Sequence, residues 1–143
     1  MMLLDASVLL YAADSASPFH ERVTAWLEGA LNGPRRVGFP WPSVTAFLRI
    51  VTHPRALDRP LTAGQAWAYV EDWLTCDNAW IPLPTANHAA VLGGLITAYD
   101  LRGNLVADGH LAALAIEHGL QVCSADTDFA RFRQVTWVNV LAV

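Results

Sequence analysis

Short apolar runs alternate along the chain with longer stretches in which apolar residues recur every three or four positions. Runs of the first kind predict buried strands, and those of the second predict helices with one face inward. Residues 2–5 read as a strand, followed by a helical turn over 6–12. Ser17-Pro18 signals a helix start, because Ser caps and Pro fits the first helical position. Phe19, Val23, Trp26, Leu27, Ala30 and Leu31 then share one face, and Asn32-Gly33-Pro34 stops the helix. Residues 36–39 give a weak second strand. A helix over 43–51 ends before His53-Pro54. Thr62 and Gln65 have the spacing of a capping box, with Trp67, Val70 and Leu74 as the inward stripe. Residues 80–83 are ambiguous. Thr85 opens a helix carrying Ala89, Leu92, Leu95 and Ile96. Asn104 caps a helix over 105–118 that Gly119 closes. A strand over 120–123, a helical turn over 126–132 and a last strand over 135–138 follow.

Strands separated by helices favour a parallel sheet covered on both faces. The fold class expected is α/β, a three-layer α/β/α sandwich with a central, mostly parallel sheet. Nothing in the pattern divides the chain, so residues 1–143 read as a single domain. The first strand is bracketed by helices and is expected at the centre. In open sheets of this kind, sites gather outside the carboxyl ends of the strands.

Composition narrows the class. Hydrophobic residues make up 54% of the chain and charged residues 15%, which excludes disorder. No apolar run reaches the roughly 18–20 residues of a membrane span. The first residues are apolar but carry Asp5 and no basic segment, so they make a poor signal peptide. Two cysteines, Cys76 and Cys123, are too few for a disulfide scaffold or a thiolate zinc site, and a cytoplasmic location is expected. The net charge of −4 argues against a simple basic phosphate-binding surface. All nine cations are Arg, a residue suited to bidentate grip on phosphate, although a G+C-rich gene gives the same bias.

The acids change the picture. Asp5 stands at the carboxyl end of the first strand. Asp126 stands just past the strand over 120–123, with Asp128 two residues on. If those strands are neighbours, the carboxylates converge on one rim of the sheet. Taken singly, Asp5 and Asp126 also read as helix caps. Asp108 is harder to explain that way, since it lies in line with Leu111, Ala112 and Ala115 on the apolar stripe of its helix. A carboxylate there needs a cation, a donor or a shifted pKa. Hard divalent cations, which prefer carboxylate oxygen and bridge to phosphate, resolve the repulsion within such a cluster.

These residues, in this order, resemble the PIN-domain family, and specifically the VapC toxins of type II toxin–antitoxin modules. The matching stretches are MLLDASVLLYA, FPWPSVTAFLRIVTHPRAL and NLVADGHLAALAIEHGLQVCSADTDFARF, which together span essentially the whole chain. The resemblance implies a Mg²⁺- or Mn²⁺-dependent endoribonuclease that hydrolyses RNA phosphodiesters. It also implies a homodimer, a cognate antitoxin partner, and tRNA or rRNA as the substrate class. Carried over by position, Asp5, Asp108 and Asp126 are the metal ligands, and Asp128 is the more peripheral member of the catalytic carboxylates. Ser7 and Ser124 fill the small polar positions beside the site, where ordinary cap and turn roles also fit. The chain departs from the family at Ala46, which stands where most PIN nucleases carry a Glu. That departure puts a second metal position in doubt. It keeps open an alternative reading, an impaired PIN domain that binds RNA or protein.

The other candidates have bland readings. Arg49 and Arg131 are candidate RNA contacts, with Arg55 and Arg133, or else solvated surface charge. His20, His53, His88, His110 and His118 lack zinc-helix spacing and read as surface or satisfied structural residues. Trp41 lies in a Pro-flanked stretch and suits stacking or an interface. A haloacid-dehalogenase-type phosphatase would need Asp at position 7, where Ser stands, and a receiver domain would need a Lys, which is absent. The −4 total equals the charge of Asp5, Asp108, Asp126 and Asp128, since the other nine acids match the nine Arg. The chain therefore reads as neutral apart from one concentrated anionic site.

Overall fold

The structure, a computed structural model, describes residues 1–142. Five short strands form one sheet: β1 (Met2–Leu4), β2 (Val37–Gly38), β3 (Ala79–Trp80), β4 (Gln121–Ser124) and β5 (Trp137–Asn139). Their order is β3-β2-β1-β4-β5, and every pairing is parallel. β1 is central as expected, and Leu4 pairs with Cys123, which sets Asp5 beside the end of β4. Asp5 donates its backbone N–H to the Cys123 carbonyl at 3.0 Å.

Successive residues of the central strands face opposite ways, because side chains alternate across a sheet. Leu4 and Cys123 point into one core with α1 (Ala6–Ala13), α2 (His20–Leu31), α3 (Trp41–Val51) and α4 (Ala63–Leu74). Leu3 and Val122 point into the other, with α5 (His88–Tyr99), α6 (Leu105–His118) and a 3₁₀ turn over Thr127–Arg131. Two apolar cores flank one sheet, which is the α/β/α sandwich that the pattern predicts. Cys123 is buried and its thiol pKa is pushed up to about 12 by that burial, so it behaves as a small apolar residue. No helix among the described residues is long and apolar enough to cross a membrane.

Several boundaries differ from the sequence reading, each for a local reason. The Ser17 hydroxyl accepts from the Phe19 N–H in a tight turn, so α2 begins at His20 rather than beside Pro18. α3 begins at Trp41, with Pro42 in its first turn, and takes in a residue read as loop. α5 begins at His88 rather than after Thr85, which donates its N–H and hydroxyl to Glu117 and accepts the Asn87 N–H in a turn ahead of the helix. Asn104 stands at the N-terminus of α6 but makes no side-chain cap. On α4 the capping box of Thr62 and Gln65 forms as predicted. Its inward face, however, is Ala66, Val70 and Trp73, while Trp67 is 42% exposed. Gly119 closes α6 in the left-handed region at φ 67°, where glycine carries no steric penalty.

Candidate metal centre

Three chain segments carry the acids to the carboxyl edge of the sheet. Asp5 follows β1, Asp126 and Asp128 follow β4, and Asp108 sits in the first turn of α6. Carboxylate oxygens of Asp108, Asp126 and Asp128 lie within 4.8 Å of one another, all three half-buried. The 3₁₀ turn explains how the last two converge: Asp126 caps it by accepting the Asp128 N–H at 2.9 Å. Asp126 is thus both the cap and the cluster member that the sequence left as alternatives.

Asp5 stands beside this trio and is not one of the three. It does not cap α1 with its side chain. Its Oδ2 accepts instead from Ser7 Oγ at 2.8 Å and from Ser124 Oγ at 2.7 Å. Ser124 is fully buried, and its oxygen also accepts the Asp126 N–H at 2.9 Å. Ser7 Oγ accepts the Ala125 N–H at 3.1 Å. The two hydroxyls therefore clamp the β1 and β4 ends together through one carboxylate. Ser43 adds a further tie, donating from α3 to the Leu4 carbonyl at 2.7 Å. Ala46 lies one turn further along α3 and offers no ligand atom.

Electrostatics at the trio are strained. The Asp108 carboxyl pKa is pushed up to about 7, first by burial and then by the neighbouring Asp126, Asp5 and Asp128 charges. Among the described residues Arg131 is the only cation acting against this, and it is already held on Asp128, with Nη2 3.3 Å from Oδ1 and Nε 3.0 Å from the backbone carbonyl. Arg49 sits in the last turn of α3, away from the end where Ser43 meets β1. With Ile50, His53, Arg55 and Ala56 it lines a cleft of about 270 Å³. An all-oxygen, net anionic donor set of this kind fits a hard divalent cation.

All five histidines have hydrogen-bond partners, as the satisfied reading expects. His20 and His118 meet the carbonyls of Tyr11 and Leu83, and His53 accepts from the Arg55 N–H. His88 and His110 go beyond that reading. His88 Nδ1 lies 2.6 Å from Glu117 Oε2, and His88 Nε2 lies 3.0 Å from His110 Nδ1. Burial alone would raise the Glu117 carboxyl, but the Thr85 and His88 donors outweigh it and hold it below its usual value. Burial, aided by His88, pulls the His110 imidazole below its ordinary pKa. The sequence carried a signal for this network: His110 and Glu117 are seven apart on α6, which puts them on one face.

The PIN domain model matches residues 2–135. The chain belongs to the PIN-domain family. Within it, this PIN domain is 44% identical to ribonuclease VapC37 of Mycobacterium tuberculosis over 137 residues, covering 96% of this chain and 95% of that protein. It is 37% identical to ribonuclease VapC33 of the same organism over 141 residues, covering 99% of each. Among solved structures, the VapBC2 complex of Rickettsia felis bound to a promoter DNA fragment aligns with a TM-score of 0.71 at 14% identity, covering 96% of both chains. The sarcin–ricin loop cleaving toxin VapC20 of Mycobacterium tuberculosis aligns at 0.67 with 16% identity, covering 95% of this PIN domain and 99% of that chain. At those identities the structural matches establish the shared fold.

Proposed function

We propose that this PIN domain is an endoribonuclease toxin that hydrolyses RNA with a divalent cation, Mg²⁺ or Mn²⁺, held by Asp108, Asp126 and Asp128, with Asp5 beside them. The observation that carries the reading is the trio itself: three carboxylates within 4.8 Å at the carboxyl edge of a parallel sheet, one of them pushed up to about 7. Near full-length relatives at 34–44% identity are named ribonucleases, which supports the same activity here. A bound divalent ion would supply a Lewis acid for phosphoryl oxygens and acidify an attacking water. The chain's own part is to hold the acids in place. Ser7 and Ser124 fix Asp5, the Asp128 N–H fixes Asp126, and Arg131 steadies Asp128. Asp128, peripheral by family resemblance, takes on this account the ligand role that a Glu at position 46 would otherwise share. In the reaction, water oxygen bonds to phosphorus, the P–O3′ bond breaks, and the 3′ oxygen leaves with a proton.

The reading includes a homodimer and a cognate antitoxin that silences the toxin, with tRNA or rRNA as substrate in the cytoplasm. Ala46 favours the competing reading of an impaired PIN domain. Expression of the chain without a partner separates the two. New 5′-phosphate ends in cellular RNA, lost in Asp5→Asn and Asp108→Asn, are expected together with growth arrest. Intact RNA and normal growth would contradict the nuclease and favour the binding module.

A further inference from the structure

α5 and α6 are joined by a row of side chains that the acidic edge does not use. Glu117 of α6 is 1% exposed, and its Oε1 accepts from the Thr85 N–H and hydroxyl. Its Oε2 lies 2.6 Å from Nδ1 of His88, the first residue of α5. His88 Nε2 lies in turn 3.0 Å from Nδ1 of His110, back on α6. The two rings cross at 75° and do not stack, so their nitrogen-bearing edges meet.

Two imidazole nitrogens at this separation also have the bite of a chelate. An ion bonded to both at about 2.1 Å would span the 3.0 Å gap with an N–metal–N angle of about 90°. Right angles suit the tetragonal geometry of Ni²⁺ and Cu²⁺ better than the tetrahedral geometry of Zn²⁺. Imidazole is a good ligand for these ions, whereas Mg²⁺ and Mn²⁺ keep to oxygen. Glu117 supplies the usual support, since a ligating His donates its other ring N–H to a carboxylate that orients the ring and raises its basicity. The ligand pair does not depend on where the protons sit in the metal-free rings. The ion displaces whichever proton lies between the two nitrogens, and that proton passes to solvent or to His110 Nε2. The His110 ring is reached from outside, because it lines an open cleft with Leu92, Val106 and Ala107. Asp108 is two residues back on α6, about 200° round the helix, so the acids face another way and are not part of this ligand set.

We propose that His88 Nε2 and His110 Nδ1 form a separate metal site, bridging α5 and α6, for a borderline divalent ion of the Ni²⁺ or Cu²⁺ type, with water completing its coordination. The proposal is independent of the nuclease reading above. Its probe is Ni²⁺, titrated into the full chain with excess Mg²⁺ to hold the carboxylates. Expected is one ion bound per chain in wild type and in His53→Ala, an exposed histidine beyond α3. That ion is lost in His88→Ala and in His110→Ala, each shown to be folded by circular dichroism. Glu117→Gln keeps an acceptor for His88 but not the charge, and is expected to bind about 10–100-fold more weakly. A second readout needs no variant: in wild type, Ni²⁺ is expected to broaden the imidazole nitrogen resonances of His88 and His110 before those of His20, His53 and His118. Wild type that binds no Ni²⁺, or binding retained in folded His88→Ala and His110→Ala, would overturn the proposal. So would broadening that spares His88 and His110, and this result decides the matter alone if the variants do not fold.

Discussion

At position 108, helix geometry and electrostatics pull in opposite directions. The apolar stripe of α6 carries Asp108 toward the sheet, where burial first, and then three other carboxylates, raise its pKa to about 7. The anomaly was legible from the sequence, since a carboxylate in line with Leu111, Ala112 and Ala115 needs an explanation. The place of Asp128 was not, because its direction is set by a 3₁₀ turn that no periodicity reports. In the metal-free chain, Asp108 holds a proton up to about pH 7 when folded, but only up to its ordinary 3.8 when unfolded. The folded state binds more protons in that window, so stability falls as pH rises through it. The melting temperature without metal is expected to drop between pH 5 and 8, and to do so less in Asp108→Asn. Saturating Mn²⁺ is expected to offset the drop in wild type, because the ion replaces the proton. A metal-free melting curve that stays flat or rises over this range would contradict the assignment. Ser124→Ala tests the clamp. It removes a buried hydroxyl that serves Asp5 and Asp126 together, and a loss of about 1–3 kcal/mol is expected by denaturant unfolding.

Elements were more legible than their ends. The strongly patterned helices and the central strand emerged where the apolar spacing put them. Their boundaries moved where a side chain found a local partner, as Ser17 did with the Phe19 N–H and Thr85 with the Asn87 N–H. α4 shows how a stripe can be misread by one position. Trp67 and Trp73 both suit a helical period, yet only one can face inward with Ala66 and Val70. Trp73 stacks with Phe39 at 6.2 Å and meets Phe47 edge-on at 5.1 Å. Trp73→Ala is expected to cost about 3–5 kcal/mol, as large-to-small core changes do. Trp67→Ala should stay within about 0.5 kcal/mol, as exposed positions do. Equal losses from the two in urea unfolding would contradict this packing.

Across the whole molecule, the parallel order β3-β2-β1-β4-β5 turns residues far apart in sequence into one site. The Leu4–Cys123 pairing is the decisive contact, because it sets the ends of β1 and β4 side by side. Alternating strands and helices foretold that architecture and the edge where the acids would meet. They did not foretell the Glu117–His88–His110 chain, which joins α5 to α6 through side chains and leaves only a spacing of seven in the sequence. The formal charge also takes its meaning at this scale, since the excess of −4 corresponds to the acids at this one edge. The central claim is that these acids hold the ion with which the chain cuts RNA. Its most direct test is cleavage of purified tRNA and rRNA by the purified chain across a Mn²⁺ titration, for wild type and for Asp108→Asn shown to be folded. The account predicts discrete cuts that rise with Mn²⁺ in wild type, vanish with chelator and are lost in the variant. Equal cutting by both proteins, or cutting that survives the chelator, would contradict it.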